Sequence, residues 1–459
     1  MRSHLDNKRV KKLRYCDEDG GLSESSPHSS RNKPFRNAGK LGGGRVLQAV
    51  CSLGVTAVAT RAVGAEGFGA LVLLHSGSLG VAQLVRSNNW MLVVRFGADA
   101  LREENDTSLR DVLRFGFALD MASALLGGLL FVLLFLLVRD YFGIAGTMQY
   151  AWCYGLLAVP VMNATGAARG TLQLFDRFNV LALQSILEPL VRLAGGLSVW
   201  ALGGGLTGFV LVWLLALFTG RACLFAVALK NLGRAGYSGA LRFTPSALWK
   251  TRWPMWRFTL GSQFRSSLNL GNNTLPILLV GAFAGSAGAG LFRVAQQISD
   301  VITKMLSKLL FPALLPEVSR LSGIDAGDAP ARLAWRTSLL SALLAAGIFG
   351  LLVLFGRSVI DAVAGEAFSA AFPLMLWLAG AGVISVIALA PETLLLSSGA
   401  VGRVLASTAV QIVVGLSVLG ILMPSMGALA AGPAAAAGAL ANLLFLLLVH
   451  TFAKTKINQ

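Results

Sequence analysis

Residues Phe117 to Val138 read FALDMASALLGGLLFVLLFLLV. A single acid interrupts the apolar run. About 20 apolar residues in a helix cross the hydrocarbon layer of a bilayer. A strand of a membrane barrel is about 10 residues long and alternates apolar with polar. The stretch is continuous, so it predicts a spanning helix. The whole chain has the same character. It has 459 residues, of which 55% are hydrophobic and 13% charged, and a mean hydropathy of +0.68. Soluble domains carry about 25% charged residues. A soluble fold is therefore excluded, as are collagen-like, disordered and disulfide-rich secreted classes.

Working outward from that run, apolar stretches and breakers place twelve spans near 43–63, 67–93, 114–138, 149–169, 178–202, 206–229, 257–283, 288–314, 337–356, 370–397, 403–423 and 426–452. Each must be helical, because backbone polar groups in lipid pair within their own segment. The expected fold is an all-α polytopic membrane protein with no sizeable soluble domain between spans. Residues 1–42 are hydrophilic and contain no apolar stretch of the kind a signal peptide needs. They read as a disordered basic tail, with 11 Lys/Arg against 5 Asp/Glu up to Arg45. Such a tail suits anionic lipids at the cytoplasmic face. Most of the formal net charge of +17 lies beyond it, so no basic arm points to nucleic acid.

Basic residues set the orientation. The even-numbered connections carry clusters such as Arg95, Arg102, Arg110 and Arg114, or Lys230, Arg234, Arg242, Lys250 and Arg252. Odd-numbered connections offer little beyond Arg61, Arg139 and Arg357. Both termini are expected on the cytoplasmic side. A twofold repeat emerges as well. Val63-Gly64-Ala65-Glu66-Gly67-Phe68-Gly69 follows span 1, and Ala284-Gly285-Ser286-Ala287-Gly288-Ala289-Gly290 follows span 7. The glycines share a GxxGxG spacing 221 residues apart. Pro160 and Pro391 also sit at similar places. The reading is two six-helix halves, a lobe over 43–235 and a lobe over 257–459, joined by a cytoplasmic link at 236–256. An even number of spans per half makes the repeats parallel. The GxxGxG lies between spans, not after a soluble strand, so it is a close turn and not a dinucleotide fingerprint.

Charges inside a bilayer are costly and mark cavities or partners. Spans 3, 6, 9 and 12 read as nearly all apolar, whereas spans 1, 2, 5, 7 and 8 do not. Span 8 has Arg293, Gln297, Asp300 and Lys304 at spacings of 4, 3 and 4, all on one helix face. Span 7 has Ser262, Arg265, Asn269 and Asn272 on one face. Span 1 contributes Gln48 and span 2 Arg86. The simplest arrangement brings these faces together around a hydrated cavity between the halves. In span 5, Glu188 and Arg192 form an i,i+4 pair beside Pro189, which serves a structural bridge as well as it serves a substrate. Asp300 and Lys304 can neutralise each other in the same way. Asp120 and Glu392 are candidate proton or ion carriers. Embedded guanidinium groups favour an anionic substrate, since they pair bidentately with phosphate. Cys16, Cys51, Cys153 and Cys223 show no paired spacing, and the four His are scattered, so neither a metal site nor a cofactor is expected.

Three stretches carry a family resemblance: Gly64 to Leu71, Ala168-Arg169-Gly170-Thr171-Leu172-Gln173 followed by Asp176-Arg177-Phe178-Asn179, and Phe311-Pro312-Ala313-Leu314-Leu315-Pro316-Glu317-Val318-Ser319. On these the sequence resembles the polysaccharide (O-antigen-type) flippases of the multidrug/oligosaccharidyl-lipid/polysaccharide exporter (MOP) superfamily. The resemblance implies two six-helix bundles in a MATE-like V, a central cationic cavity, and a bacterial inner membrane location. It also implies an undecaprenyl-pyrophosphate-linked oligosaccharide as cargo, with glycosyltransferases and a polysaccharide polymerase as neighbours in the same process. On that reading Arg265 and Arg293 hold the diphosphate with Arg86 and Arg192 assisting, and Gln48, Asn269, Asn272 and Gln297 line the sugar path. Proton or sodium coupling stays open. A cation-coupled drug exporter on the same fold is the alternative, and it would want a net acidic cavity. A membrane-embedded glycosyl transferase is a third reading, against which the short outer connections speak.

Overall fold

The structure, a computed structural model, describes residues 27–138, 148–237, 253–300 and 329–457. Its helices are α1 (Pro27–Val85), α2 (Asn89–Arg102), α3 (Asp106–Val138), α4 (Met148–Asn163), α5 (Gly166–Leu174), α6 (Phe178–Ala201) and α7 (Gly205–Arg234). The second half of the chain supplies α8 (Trp253–Asn273), α9 (Leu275–Asp300), α10 (Ala329–Ala364), α11 (Phe372–Ile387), α12 (Leu389–Ser397), α13 (Val401–Met426) and α14 (Ala431–Ile457). Short 3-10 turns, Glu366–Ala371 and Gly427–Ala430, precede α11 and α14. Among the described residues every regular element is helical. The stretch expected as a disordered tail is divided: residues 1–26 lie outside the described residues, and α1 starts at Pro27.

Among the described residues, eight segments are long and apolar enough to cross a membrane. Two of them, Leu47–Arg102 with 56 residues and Val401–Thr451 with 51, are long enough for two crossings each at about 20 residues per crossing. In α1 the two expected spans are joined at Gly64, where φ is 67° and ψ −172°. In α9 the equivalent glycine, Gly285, has φ 74° and ψ −178°. The repeat read from the sequence is thus repeated in the backbone. Only glycine holds this left-handed geometry without strain. A Cβ at either position would meet nothing within 4 Å. The cost of Gly64→Ala or Gly285→Ala is then conformational alone. We expect about 1–2 kcal/mol for each, read as lowered melting temperatures of the purified protein, with the double variant close to additive.

Four interruptions shape the spans, and one of them divides span 7 at Thr274, between α8 and α9. Span 2 was expected to run to residue 93, but α1 ends at Val85 and α2 begins at Asn89. No glycine or proline lies between them, and the break is held by tertiary bonds. Gln263 Nε2 of α8 donates to Gln83 O (3.1 Å) and Leu84 O (2.7 Å), and Asn88 Nδ2 donates to Ser262 O (3.0 Å). The two bonds from Gln263 satisfy carbonyls that the end of α1 leaves open. Span 4 breaks at Ala164 and Thr165, between α4 and α5, and span 10 breaks at Ala388, between α11 and α12. The expected continuation of span 8 past Asp300, including Lys304, lies outside the described residues, as does most of the expected inter-lobe link.

Contacts divide the chain into two compact units. Described residues within Met1–Val58, Gly77–Asp140 and Ala145–Ser267 form the first. Those within Ala59–Ser76, Tyr141–Ile144 and Leu268–Gln459 form the second. The grouping does not follow chain order, because Ala59–Ser76 of α1 belongs with the second unit. Within that unit Phe68 packs edge-on against Phe368 at 6.2 Å. Arg61 donates to Ala362 O (2.6 Å) and Val363 O (3.1 Å). The two GxxGxG turns also meet there: a Cβ on Gly69 would fall on the Ser286 carbonyl, and one on Gly290 would lie 2.8 Å from Ala65 O. In the first unit, Leu92, Val93, Leu109, Leu113, Phe115 and Tyr237 form a buried core with Trp256 packed against it.

Candidate functional site

The first unit holds a polar cluster inside its apolar helices, built around the two broken spans. Asp120 of α3 is 2% exposed, and Asn89, the first residue of α2, is 1% exposed. Asn89 Nδ2 donates to Asp120 Oδ1 (2.6 Å) and to Gly116 O (3.3 Å). The backbone N–H of Ala167, in the first turn of α5, donates to Asp120 Oδ2 (2.6 Å). One carboxylate therefore caps α5 and fixes the start of α2, and it sits where the α5 dipole favours negative charge. Arg86 does the converse. Its Nη2 donates to Met162 O (3.0 Å) at the C-terminal end of α4, where the dipole favours a cation. Asn163 Nδ2 adds a bond to Ser123 O (3.2 Å). The breaks in spans 2 and 4 are thus laced to each other and to the unbroken α3.

A second group of charges adjoins this lacing. Glu188 Oε1 accepts from Arg192 Nη2 at 2.8 Å, both on α6. The Arg192 guanidinium also stands over the Trp213 ring at 4.7 Å from its centroid. Arg221 of α7 donates from Nη1 to Thr165 Oγ1 at 3.4 Å, at the break in span 4. Arg221 lies within electrostatic range of Glu188, Arg192 and Arg86, and Arg86 within range of Asp120 and Arg169. The Nε atoms of Arg192 and Arg221 are buried with no hydrogen-bond partner among the described residues. Span 6 was expected to be nearly all apolar, and Arg221 corrects that. The missed signal is one charge inside the apolar run Leu206–Leu229, where averaging over the segment conceals it. Asp120, expected as a carrier of protons or ions, accepts short bonds from two protein donors and serves as a cap.

The second unit contains a cavity of about 370 Å³. It is lined by Asn272 and Asn273 from α8, Gln296, Ser299 and Asp300 from α9, Ser385 from α11 and Gln411 from α13, with Pro276, Phe292, Leu378, Ile412, Leu416, Leu419 and several glycines and alanines completing the walls. Gln411 Nε2 donates to Asn272 Oδ1 (3.3 Å). Ser299 Oγ donates to Met375 O (2.9 Å). Of the expected residues, Asn272 and Asp300 line this cavity. Arg293 stands at its edge, with Nη1 donating to Gln296 Oε1 at 3.1 Å. Gln297 and Glu392 are half-buried and not part of the lining, and Gln48 is exposed on α1. Helix α8 carries Arg265 and Asn269, whose side chains lie outside the described residues. Gln296, Ser385 and Gln411 were not anticipated. The i,i+3 spacing of Gln296 from Arg293 was a signal available for the first of these.

The sequence pattern of a family described as "Polysaccharide biosynthesis protein" matches residues 93–373. "Inner membrane protein YghQ" of Escherichia coli (strain K12) is 29% identical over 351 residues, covering 74% of this chain and 95% of that one. Among solved structures, "Lipid II flippase MurJ, inward closed conformation" superposes with a TM-score of 0.70 at 11% identity, over 90% of this chain and 87% of that one. An inward-facing multidrug resistance MATE family transporter of the MOP superfamily gives 0.63 at 12% identity, over 90% and 94%. A MOP superfamily transporter from Pyrococcus furiosus, described as having a binding pocket of reverse polarity, gives 0.60 at 13%, over 92% and 95%. At these identities the structural matches establish the fold, which this chain shares with them.

Proposed function

The chain belongs to the polysaccharide biosynthesis protein family, and from that premise we propose that it is a flippase for a lipid-linked oligosaccharide. The cargo is an undecaprenyl-pyrophosphate glycan carried across the cytoplasmic membrane by alternating access, with no covalent chemistry. The supporting observation is the charge balance of the first unit. Arg86, Arg192 and Arg221 stand among apolar helices with Asp120 and Glu188 as the carboxylates in range. A buried charge needs a partner, so such a cluster has positive charge to offer a diphosphate. Arg265 and Arg293 are the further candidates from the sequence. A drug exporter for organic cations would want the opposite sign. Alternating access then requires only that cargo binds the two arrangements of the protein with different affinity.

The test is translocation of extracted lipid-linked glycan in proteoliposomes. Arg221→Gln, which keeps length and removes charge, is expected to slow it roughly tenfold, the scale of one charge-assisted hydrogen bond. Exposed Arg114→Gln should leave the rate unchanged. Equal rates for Arg221→Gln, Arg265→Ala, Arg293→Ala and wild type would refute the diphosphate assignment. Movement of cationic dyes in place of the glycan lipid would favour the exporter reading.

A further inference from the structure

We infer that the cavity of the second unit is a subsite for one uncharged sugar residue of the cargo. The inference deepens the flippase reading and rests on it. Its basis is the chemistry of the lining. Asn272, Asn273, Gln296 and Gln411 supply amides, Ser385 a hydroxyl and Asp300 a carboxylate, and among the described residues neither Lys nor Arg lines the space. The Arg293 guanidinium stands at the edge, bonded to Gln296, and is not part of the lining, so a phosphate inside the cavity would face the Asp300 carboxylate. A prenyl or other apolar chain would meet Phe292, Leu378, Ile412, Leu416 and Leu419 in the walls, but it would strip water from the polar side chains and return no hydrogen bond, at about 1–3 kcal/mol for each group left unsatisfied. A sugar ring differs from both. Its neighbouring hydroxyls each donate and accept, and an amide side chain presents a donor and an acceptor side by side. The volume of about 370 Å³ is at the small end of ligand pockets, about 300–1,000 Å³. It suits one residue of a glycan and not a long segment.

The walls show how the sequence makes this space. Gly438 of α14 lies against α13, where a Cβ would come 2.8 Å from the Gln411 carbonyl oxygen. Gly271 of α8 lies against Ile412, where a Cβ would come 2.8 Å from Cγ2. The helices therefore approach closely at these glycines, while Ala431, Ala434 and Ala435 leave the adjoining volume open. Gln411 is held at the wall by its bond to Asn272, so two of the amides are positioned in advance of any ligand. This pre-ordering lowers the entropy cost of binding.

The experiment compares two probes bound to the full-length protein in nanodiscs: the diphosphate-linked glycan lipid extracted from the protein's own host, and synthetic undecaprenyl diphosphate without sugar. Wild type is expected to bind the glycan lipid about tenfold more tightly. Gln411→Ala, which removes an amide, and Ala435→Leu, which fills the space, should each abolish that preference. Both should bind the bare diphosphate within twofold of wild type, which also shows that they are folded. Equal binding of the two probes by wild type would overturn the sugar subsite and leave the flippase reading standing. Retention of the preference by both variants would overturn it as well. Failure of wild type to bind either probe would remove the flippase reading, and the subsite with it.

Discussion

Asp120→Ala is expected to lower the stability of the protein by about 3–5 kcal/mol, the range for removing one partner from a buried charged network. The figure follows from what the carboxylate does. It accepts 2.6 Å bonds from Asn89 Nδ2 and from the Ala167 backbone N–H. Alanine leaves both donors buried, at about 1–3 kcal/mol each. It also removes the acid in range of Arg86 and the negative charge at the N-terminus of α5. Asp120→Asn preserves shape and one oxygen, so about half the loss should return. Melting of the purified variants in detergent gives the order wild type, Asn, Ala. Equal melting of all three would show that the lacing between the broken spans contributes nothing. If Asp120 carried protons for transport, Asp120→Asn would instead melt like wild type and fail to transport.

The second large effect belongs to the glycine turns. Gly69→Val places a β-branched side chain where even a Cβ would fall on the Ser286 carbonyl, and Gly290→Val drives one against Ala65 O. Backbone cannot rotate aside as a flexible side chain can. Overpacking costs about 1–3 kcal/mol, and a clash with main chain lies at the upper end. We expect about 3 kcal/mol for each, with a loss of folded yield. The two residues occupy one contact, so Gly69→Val/Gly290→Val should cost less than the sum of the single variants. Gly233→Val, where a Cβ meets nothing within 4 Å, is the matched control. Sensitivity at Gly233 equal to that at Gly69 would refute the close-approach argument.

Local features of the fold were legible in the sequence where they had a local cause. The turns at Gly64 and Gly285 follow from glycine spacing, and the backbone repeats at the same interval. Glu188 and Arg192 were readable as a pair because four residues of helix bring them together, and they meet at 2.8 Å. What escaped has causes distant in the chain. Ser87-Asn88-Asn89 favour turns and helix starts, but the apolar residues on either side carry the span reading through them, and the break itself is held by Gln263, nearly 180 residues away. Arg221 stayed hidden because a hydropathy average weighs one guanidinium against a long run of Leu, Phe and Ala. Asp120 was noticed, but its donors lie on α2 and α5, and no periodicity links three helices.

The stretch Ala59–Ser76 has a consequence for how the protein is made. It is synthesised early, yet the residues it rests on, Ser286, Gly290, Ala362 and Phe368, leave the ribosome some 220 to 300 residues later. A nascent chain halted at Ser267 therefore presents Phe68 and Gly69 with no counterpart, and its first half has to wait, inserted but unfinished. Contacts of such long sequence separation form slowly and leave intermediates exposed meanwhile. Ribosome-bound or truncated products should accordingly be the forms that membrane quality-control proteases remove.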